Sequence, residues 1–397
     1  MNIGAAFTLI RNGASIKQTD SAGGIPITRI ETIANRVIDR NHMGYADIYN
    51  GDKYSSYFLR DGDILMSHIN SIQHLGKAAI YHPLDEKEKI IHGMNLLVLR
   101  ANQKILDNQF AYFYFSSDSF LHKLPRITKK SVNQASFTVS ELKKIDIPCP
   151  ALSQQHKIAK ILSIIQTLCN KRNEQLKIFD ELVKSRFIEM FGDPQSNCYN
   201  WKIVPLKDVM VGGALNGYFT KPQNYDIEGN VGVICVSDVV NRKYTNVNAL
   251  RRAFASEKDL QKYCVKYGDM LFCRSSLVKE GIGKASIIPP HTENDILFEC
   301  HVIKITLDMS RVIPEYLQAL SITDFFRIQV IRQSKTATMT TIGQKDIASV
   351  NILLPPMELQ KRFTEFSAQI DKSKMAVQKS LDELEILKKS LMQTYFG

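Results

Sequence analysis

Two stretches of the chain carry a long, unbroken helical pattern. After Pro148 and Pro150, and again after Pro355 and Pro356, some forty residues run without Gly or Pro. In the first stretch Ile158, Ile161, Ile165 and Leu168, then Phe179 and Leu182, follow a three-four alternation that Arg172 and Gln175 interrupt. In the second, Phe363, Phe366, Ile370, Val377, Leu384, Leu387 and Leu391 take the same register, with breaks at Ser373 and Ser380. A narrow apolar stripe with polar residues on the other faces predicts a coiled-coil helix. About 37 residues at roughly 1.5 Å each make a helix of about 55 Å. One such helix cannot bury its stripe alone, but two in one chain can bury each other's. Ser153 is placed to cap the first helix.

The remaining segments alternate differently. VGVICVSDV (231–239), GDMLFC (268–273) and FECHVIKIT (298–306) read as strands bounded by Gly, Pro, Asn and Asp. NQFAYFYFSSDSFLHKL and PEYLQALSITDFFRIQV read as one helix each, from aromatic and aliphatic residues at three- and four-residue spacing. The fold class expected is α/β (α+β): globular residues 1–150, a helix over 151–192, globular residues 193–356, and a helix over 357–397, the two helices pairing antiparallel.

The order is a duplication. Lys184, Ser185, Phe191 and Gly192 recur as Lys389, Ser390, Phe396 and Gly397, at an offset of 205 (397 − 192). From Ser136 onward that offset holds without a gap, and Gln155 returns as Gln360. Upstream it drifts by a residue or two. GDILM (62–66) matches GDMLF (268–272), GKAAI (76–80) matches GKASI (283–287), and Asp118 and Phe120 match Asp324 and Phe326. Small drift is what loop insertions leave between two copies of one unit. The segment NWKIVPLKDV around Trp201 has no such match, since its counterpart would precede Met1 (201 − 204 = −3). The first globular domain is therefore expected to lack that entry strand or to start late.

Charge then narrows the class. Fifty-one basic against forty acidic residues give a net charge of +11, which suits a polyanionic partner. The excess is dispersed, unlike a membrane-binding basic helix, and no apolar run reaches a membrane-spanning length. With no secretion signal, a cytoplasmic location is expected. Seven scattered cysteines (149, 169, 198, 235, 264, 273, 300) read as reduced. The sequence carries no GxxxxGK[ST] loop, no HExxH, no GxSxG and no [DN]PP[YF] tetrapeptide, so it reads as non-catalytic, without a metal or cofactor of its own. Asp61-Gly62-Asp63 reads as a turn into a strand.

At IPCPALSQQHKIAKIL and ILLPPMELQKRFTEF, at the paired GDIL…GK segments, and at KSxFxxMFG closing the first helix, the sequence resembles the specificity subunit of type I restriction-modification systems. The resemblance covers nearly the whole chain. Of the family's Glu-Gln after the proline, only the Gln persists, as Gln155 and Gln360. The resemblance implies two target-recognition domains, each reading half of a bipartite site on double-stranded DNA, with two antiparallel helices as spacer. It implies two methyltransferase (modification) subunits that methylate adenine with S-adenosylmethionine, and restriction/translocase subunits using ATP and Mg. It implies no cofactor on this chain. The alternative is a coiled-coil adaptor that binds protein only.

Two sets of residues are candidates for DNA contact. The loop after GDIL offers His68, Asn70 and Lys77 in the first domain, and Arg274, Ser276 and Lys284 in the second. The polar-basic stretch before each helix offers Lys129, Lys130, Asn133 and Gln134, and Arg332, Lys335 and Thr336. Arg and Lys suit guanine or phosphate, and Asn and Gln suit adenine.

Overall fold

The computed structural model describes residues 1–20, 23–49, 52–132, 134–221, 225–290 and 295–397. They form two compact units: Met1–Glu174 with Gln378–Gly397, and Gln175–Val377. Each unit thus takes one globular segment and part of both long helices, which run Leu152–Phe191 and Met357–Phe396.

The first unit is built on an antiparallel sheet in the order Phe7–Asn12, Leu96–Ala101, Ile64–Ser67, Ala78–Ile80. The second repeats it as Leu215–Asn216, Val302–Ile305, Met270–Cys273, Ala285–Ile287. Side chains alternate across a pleated strand, so a strand apolar throughout must be covered on both faces. Ile64 and Met66 enter one core with Leu97, Leu99, Phe110 and Phe120, while Leu65 enters another with Leu96 and Val98. Met270 and Phe272 part from Leu271 in the same way.

The duplicated motifs have structural reasons. Gly76 and Gly283 turn the chain with φ of 75° and 60°. A Cβ on either would lie 2.2 Å from Leu124 or 2.4 Å from Val330, so both the turn and the packing need glycine. The aspartate of each GD motif is buried at the base of its sheet. Asp63 accepts both Arg100 bonds at 2.7 Å and caps Arg60 N–H at 2.8 Å. Asp269 caps Lys266 N–H at 2.9 Å, accepts from Thr306 at 2.6 Å and faces Lys304 at 3.3 Å.

The persistent glutamine is a strut. Fully buried Gln155 donates to the carbonyls of Pro150 (2.7 Å) and Ile105 (2.9 Å) and accepts from Asp107 N–H (2.9 Å). Gln360 repeats this with Pro355, Arg311 and Ile313. The phenylalanine before each closing glycine is a plug. Phe396 packs on Phe110 and Tyr114 in the first unit, and Phe191 on Tyr316 and Phe363 in the second.

Within each unit the long helices run antiparallel. In the first, Ile158 and Leu162 share a core with Leu391, Met392 and Tyr395, and Lys388 donates to Gln166. In the second, Lys374 pairs with Asp180 at 2.6 Å, Arg186 lies over Phe366, and Phe187 meets Phe363 edge-on. Ile158, Ile165, Phe363 and Ile370 are buried; Phe179, Phe366, Val377, Leu384 and Leu391 are half-buried. Ile161, Leu168, Leu182 and Leu387 are 40–47% exposed, off the seam. The inward positions beside Ile161 and Leu168 belong to Leu162 and Cys169. Adjacent apolar residues at 161/162, 164/165 and 168/169 make two neighbouring stripes, and the pattern alone does not say which faces inward.

Other expectations change locally. Ser153 lies inside the first helix, whose first N–H groups bond to Ala151 C=O. NQFAYFYFSSDSFLHKL breaks at Ser116-Ser117, because Ser117 caps a new turn at Asp118–Leu121. PEYLQALSITDFFRIQV likewise divides into Pro314–Ser321 and Asp324–Gln333. The strand at 231 stops at Ile234, where Asp238 and Glu299 take the N–H groups of Cys235 and Val236 and start a helical turn. The strand after Trp201 is Lys202–Pro205 paired with Asn351–Leu354; its counterpart in the first unit is one bridge, Asn2 to Asp146.

Candidate nucleic-acid interface

In each unit the two candidate segments meet in one three-stranded ribbon. Ile69–Asn70 pairs with Ala135–Ser136, which pairs with Lys129–Lys130. In the second unit Ser275–Ser276 pairs with Thr340–Thr341, and that with Lys335–Thr336. The ribbon grows from the central sheet strand, which ends at Ser67 or Cys273 just before the ribbon begins. Phe137 N–H bonds to His68 C=O, and Ile342 N–H to Arg274 C=O, fixing the ribbon's root. Two copies of one fold therefore place the same device at the same position.

The root and tip of the ribbon differ in chemistry. His68 is buried edge-on against Phe137, and burial lowers its pKa, so it packs as a neutral ring at the root. Lys77 donates to Ala34 C=O at 2.9 Å and Lys284 to the Asn241 side chain, which makes both of them loop ties. Arg274 donates to Cys300 C=O at 3.0 Å. Asn70 accepts from Ser71 N–H and donates to Ser67, and Ser276 accepts from Val278 N–H. These groups shape the loop.

The tips are open. Lys129, Lys130 and Gln134, and Lys335 and Thr336, are exposed; Arg332, also exposed, lies on the preceding helix Asp324–Gln333 and not on the ribbon, and these four cations have no ion-pair partner among the described residues. Asn133 lies outside the described residues. Sequence reasoning missed the apolar members of these tips: Val132 is 99% exposed on the first hairpin and Leu277 83% on the loop after Ser276. The signal was an aliphatic residue inside a polar loop. A two-stranded ribbon fits the DNA major groove, where lysines meet phosphate or guanine and aliphatic groups meet the thymine methyl.

The comparisons agree with this layout. A family model described as the type I restriction modification DNA specificity domain matches residues 2–178. A protein of Methanocaldococcus jannaschii described as the specificity subunit of type I restriction enzyme MjaX is 28% identical over 97% of this chain and 89% of its own. The EcoKI specificity subunit of Escherichia coli is 22% identical over 94% and 82%. The crystal structure of the S subunit from M. genitalium superposes with a TM-score of 0.57 at 13% identity, covering 100% of this chain and 95% of that one. A chain from a structure of the type I restriction-modification system gives 0.54 at 17%, covering 100% and 96%. The fold is thus shared with these S-subunit structures. In sequence the chain is similar to the specificity subunits of type I restriction-modification systems. Among the described residues no helix is long and apolar enough to cross a membrane.

Proposed function

We propose that this chain reads a bipartite site on double-stranded DNA, one half through each ribbon-bearing domain, and directs partner subunits to it. The observation that carries this is the ribbon itself, built twice from diverged sequence with uncompensated cations at both tips. Divergence at the tips (Lys-Lys-Ser-Val against Lys-Thr-Ala-Thr) gives two different half-sites. The chain supplies recognition, and methylation and cleavage are the work of partners: two methyltransferase subunits using S-adenosylmethionine, and ATP- and Mg-dependent restriction/translocase subunits.

The off-seam stripe supports the partner reading. Ile161, Ile164 and Leu168 in the first unit, and Ile178 and Leu182 in the second, stand exposed at helical spacing beside the buried seam. Apolar residues in water along a helix face suit a protein partner. The test replaces residues 1–150 with another family member's reader and sequences the methylated genome. Change in one half-site only supports the reading; change in both, or in neither, overturns it.

A further inference from the structure

The second unit holds a cleft of about 610 Å³, walled by both long helices and by Pro314–Ser321 and Asp324–Gln333. Its lining carries six cations against three carboxylates, a surplus of three (6 − 3). Three lysines are already engaged: Lys243 with Asp371 and Ser367, Lys374 with Asp180, and Lys184 with Glu181, which stands outside the lining. The surplus rests on Arg242, Lys284 and Arg327. Arg242 is exposed without an ion-pair partner among the described residues. Among the described residues Lys284 bonds only to the neutral Asn241 amide. Arg327 donates to Glu280 C=O at 3.0 Å, but its Nη1 is buried with no acceptor among the described residues.

The floor is polar as well. Gln318 is 7% exposed, and its amide makes no hydrogen bond among the described residues. Glu315 beside it accepts one bond, from the Tyr244 hydroxyl at 3.3 Å. A buried donor left open, as Arg327 Nη1 is, costs stability and calls for a reason. The fold does not require it. At the matching positions (327 − 206 = 121; 318 − 206 = 112) the first unit has Leu121 and Tyr112, and Tyr112 donates to Arg36 C=O at 3.2 Å. One copy fills the space with a ring; the other leaves it open and lines it with donors.

We propose that this cleft binds a nucleotide, its phosphate against Arg242, Lys284 and Arg327 and its base edge on Gln318. Phosphate is the anion that several converging cations hold with charge-assisted bonds. The adjacent donor and acceptor of a glutamine amide match adenine N6 and N7. The inference is independent of how the ribbons read half-sites, which Lys335→Ala probes separately.

The test uses the full chain and titration calorimetry with AMP, adenosine, inorganic phosphate and a short duplex. The comparison variant is Gln318→Tyr/Arg327→Leu, which installs the first unit's own residues; Arg242→Ala, at an exposed site, is the second. AMP should bind more tightly than adenosine or phosphate alone, and either variant should weaken it about tenfold, the worth of one charge-assisted bond. Loss confined to the duplex would support a nucleotide within a strand. Equal affinity of wild type and variants for AMP and duplex, or no AMP binding at millimolar concentration with duplex binding also unchanged by the variants, would overturn the proposal.

Discussion

Gln155 and Gln360 show how one side chain can outlast its neighbours through duplication. Each satisfies two carbonyls and one N–H where a domain hands over to its long helix. Gln155→Leu strands the Asp107 N–H and the Pro150 carbonyl without partners, at about 1–3 kcal/mol for each buried group. Urea unfolding should show the first unit weakened, and Gln360→Leu should weaken the second instead. Histidine gives the first unit a pH dependence. Burial lowers the pKa of both His68 and His92, so the folded state keeps them neutral. Their unfolded pKa is about 6.5. Above that pH their contribution is complete; as pH falls through it, the unfolded chain takes up protons first and stability is lost. His68→Gln should flatten the urea midpoint between about pH 6.5 and 5; an unchanged slope would contradict the burial argument.

At the scale of elements, the long helices were legible from their proline brakes and glycine-free runs, but their phase was not. Both stripes of the first helix are apolar, and only the partner helix decides between them. Leu162 fills the interior while Leu168 stands half in water. Leu162→Ala should therefore cost about 2–5 kcal/mol, and Leu168→Ala less than about 1 kcal/mol, both measured by denaturant melts. Leu168→Asp should leave the fold intact yet lose co-purification with the methyltransferase subunits proposed as partners. The ribbon was legible only as two polar segments far apart in sequence. Strands of two residues carry no alternation, so nothing local announced that Lys129 and Asn70 flank the same strand. The glycine and aspartate pairs were visible as repeats, though their duties as turn and buried ion pair needed coordinates. So did the fate of His68 and Lys77: a loop lysine tying a carbonyl reads like a solvated one.

For the whole molecule, charge is the property with the widest reach. A net charge of +11 makes DNA affinity fall steeply with salt. Lys129→Ala/Lys130→Ala should lower the slope of log K against log salt by about 2, since each phosphate contact contributes roughly 0.9. An unchanged slope would remove the first ribbon's tip from the footprint. The cysteines and histidines contribute no comparable signature.

Phe191 and Phe396 carry a further consequence. The helix that leaves the first globular segment ends inside the second unit's core, and the helix that leaves the second ends inside the first's. Neither half, taken as segment plus following helix, supplies the aromatic stopper for its own interior. A fragment covering residues 1–192 would carry a vacancy the size of a phenyl ring and a phenylalanine with nowhere to go. Two such fragments, set head to tail, could each furnish what the other lacks, so the isolated half should sediment as a homodimer.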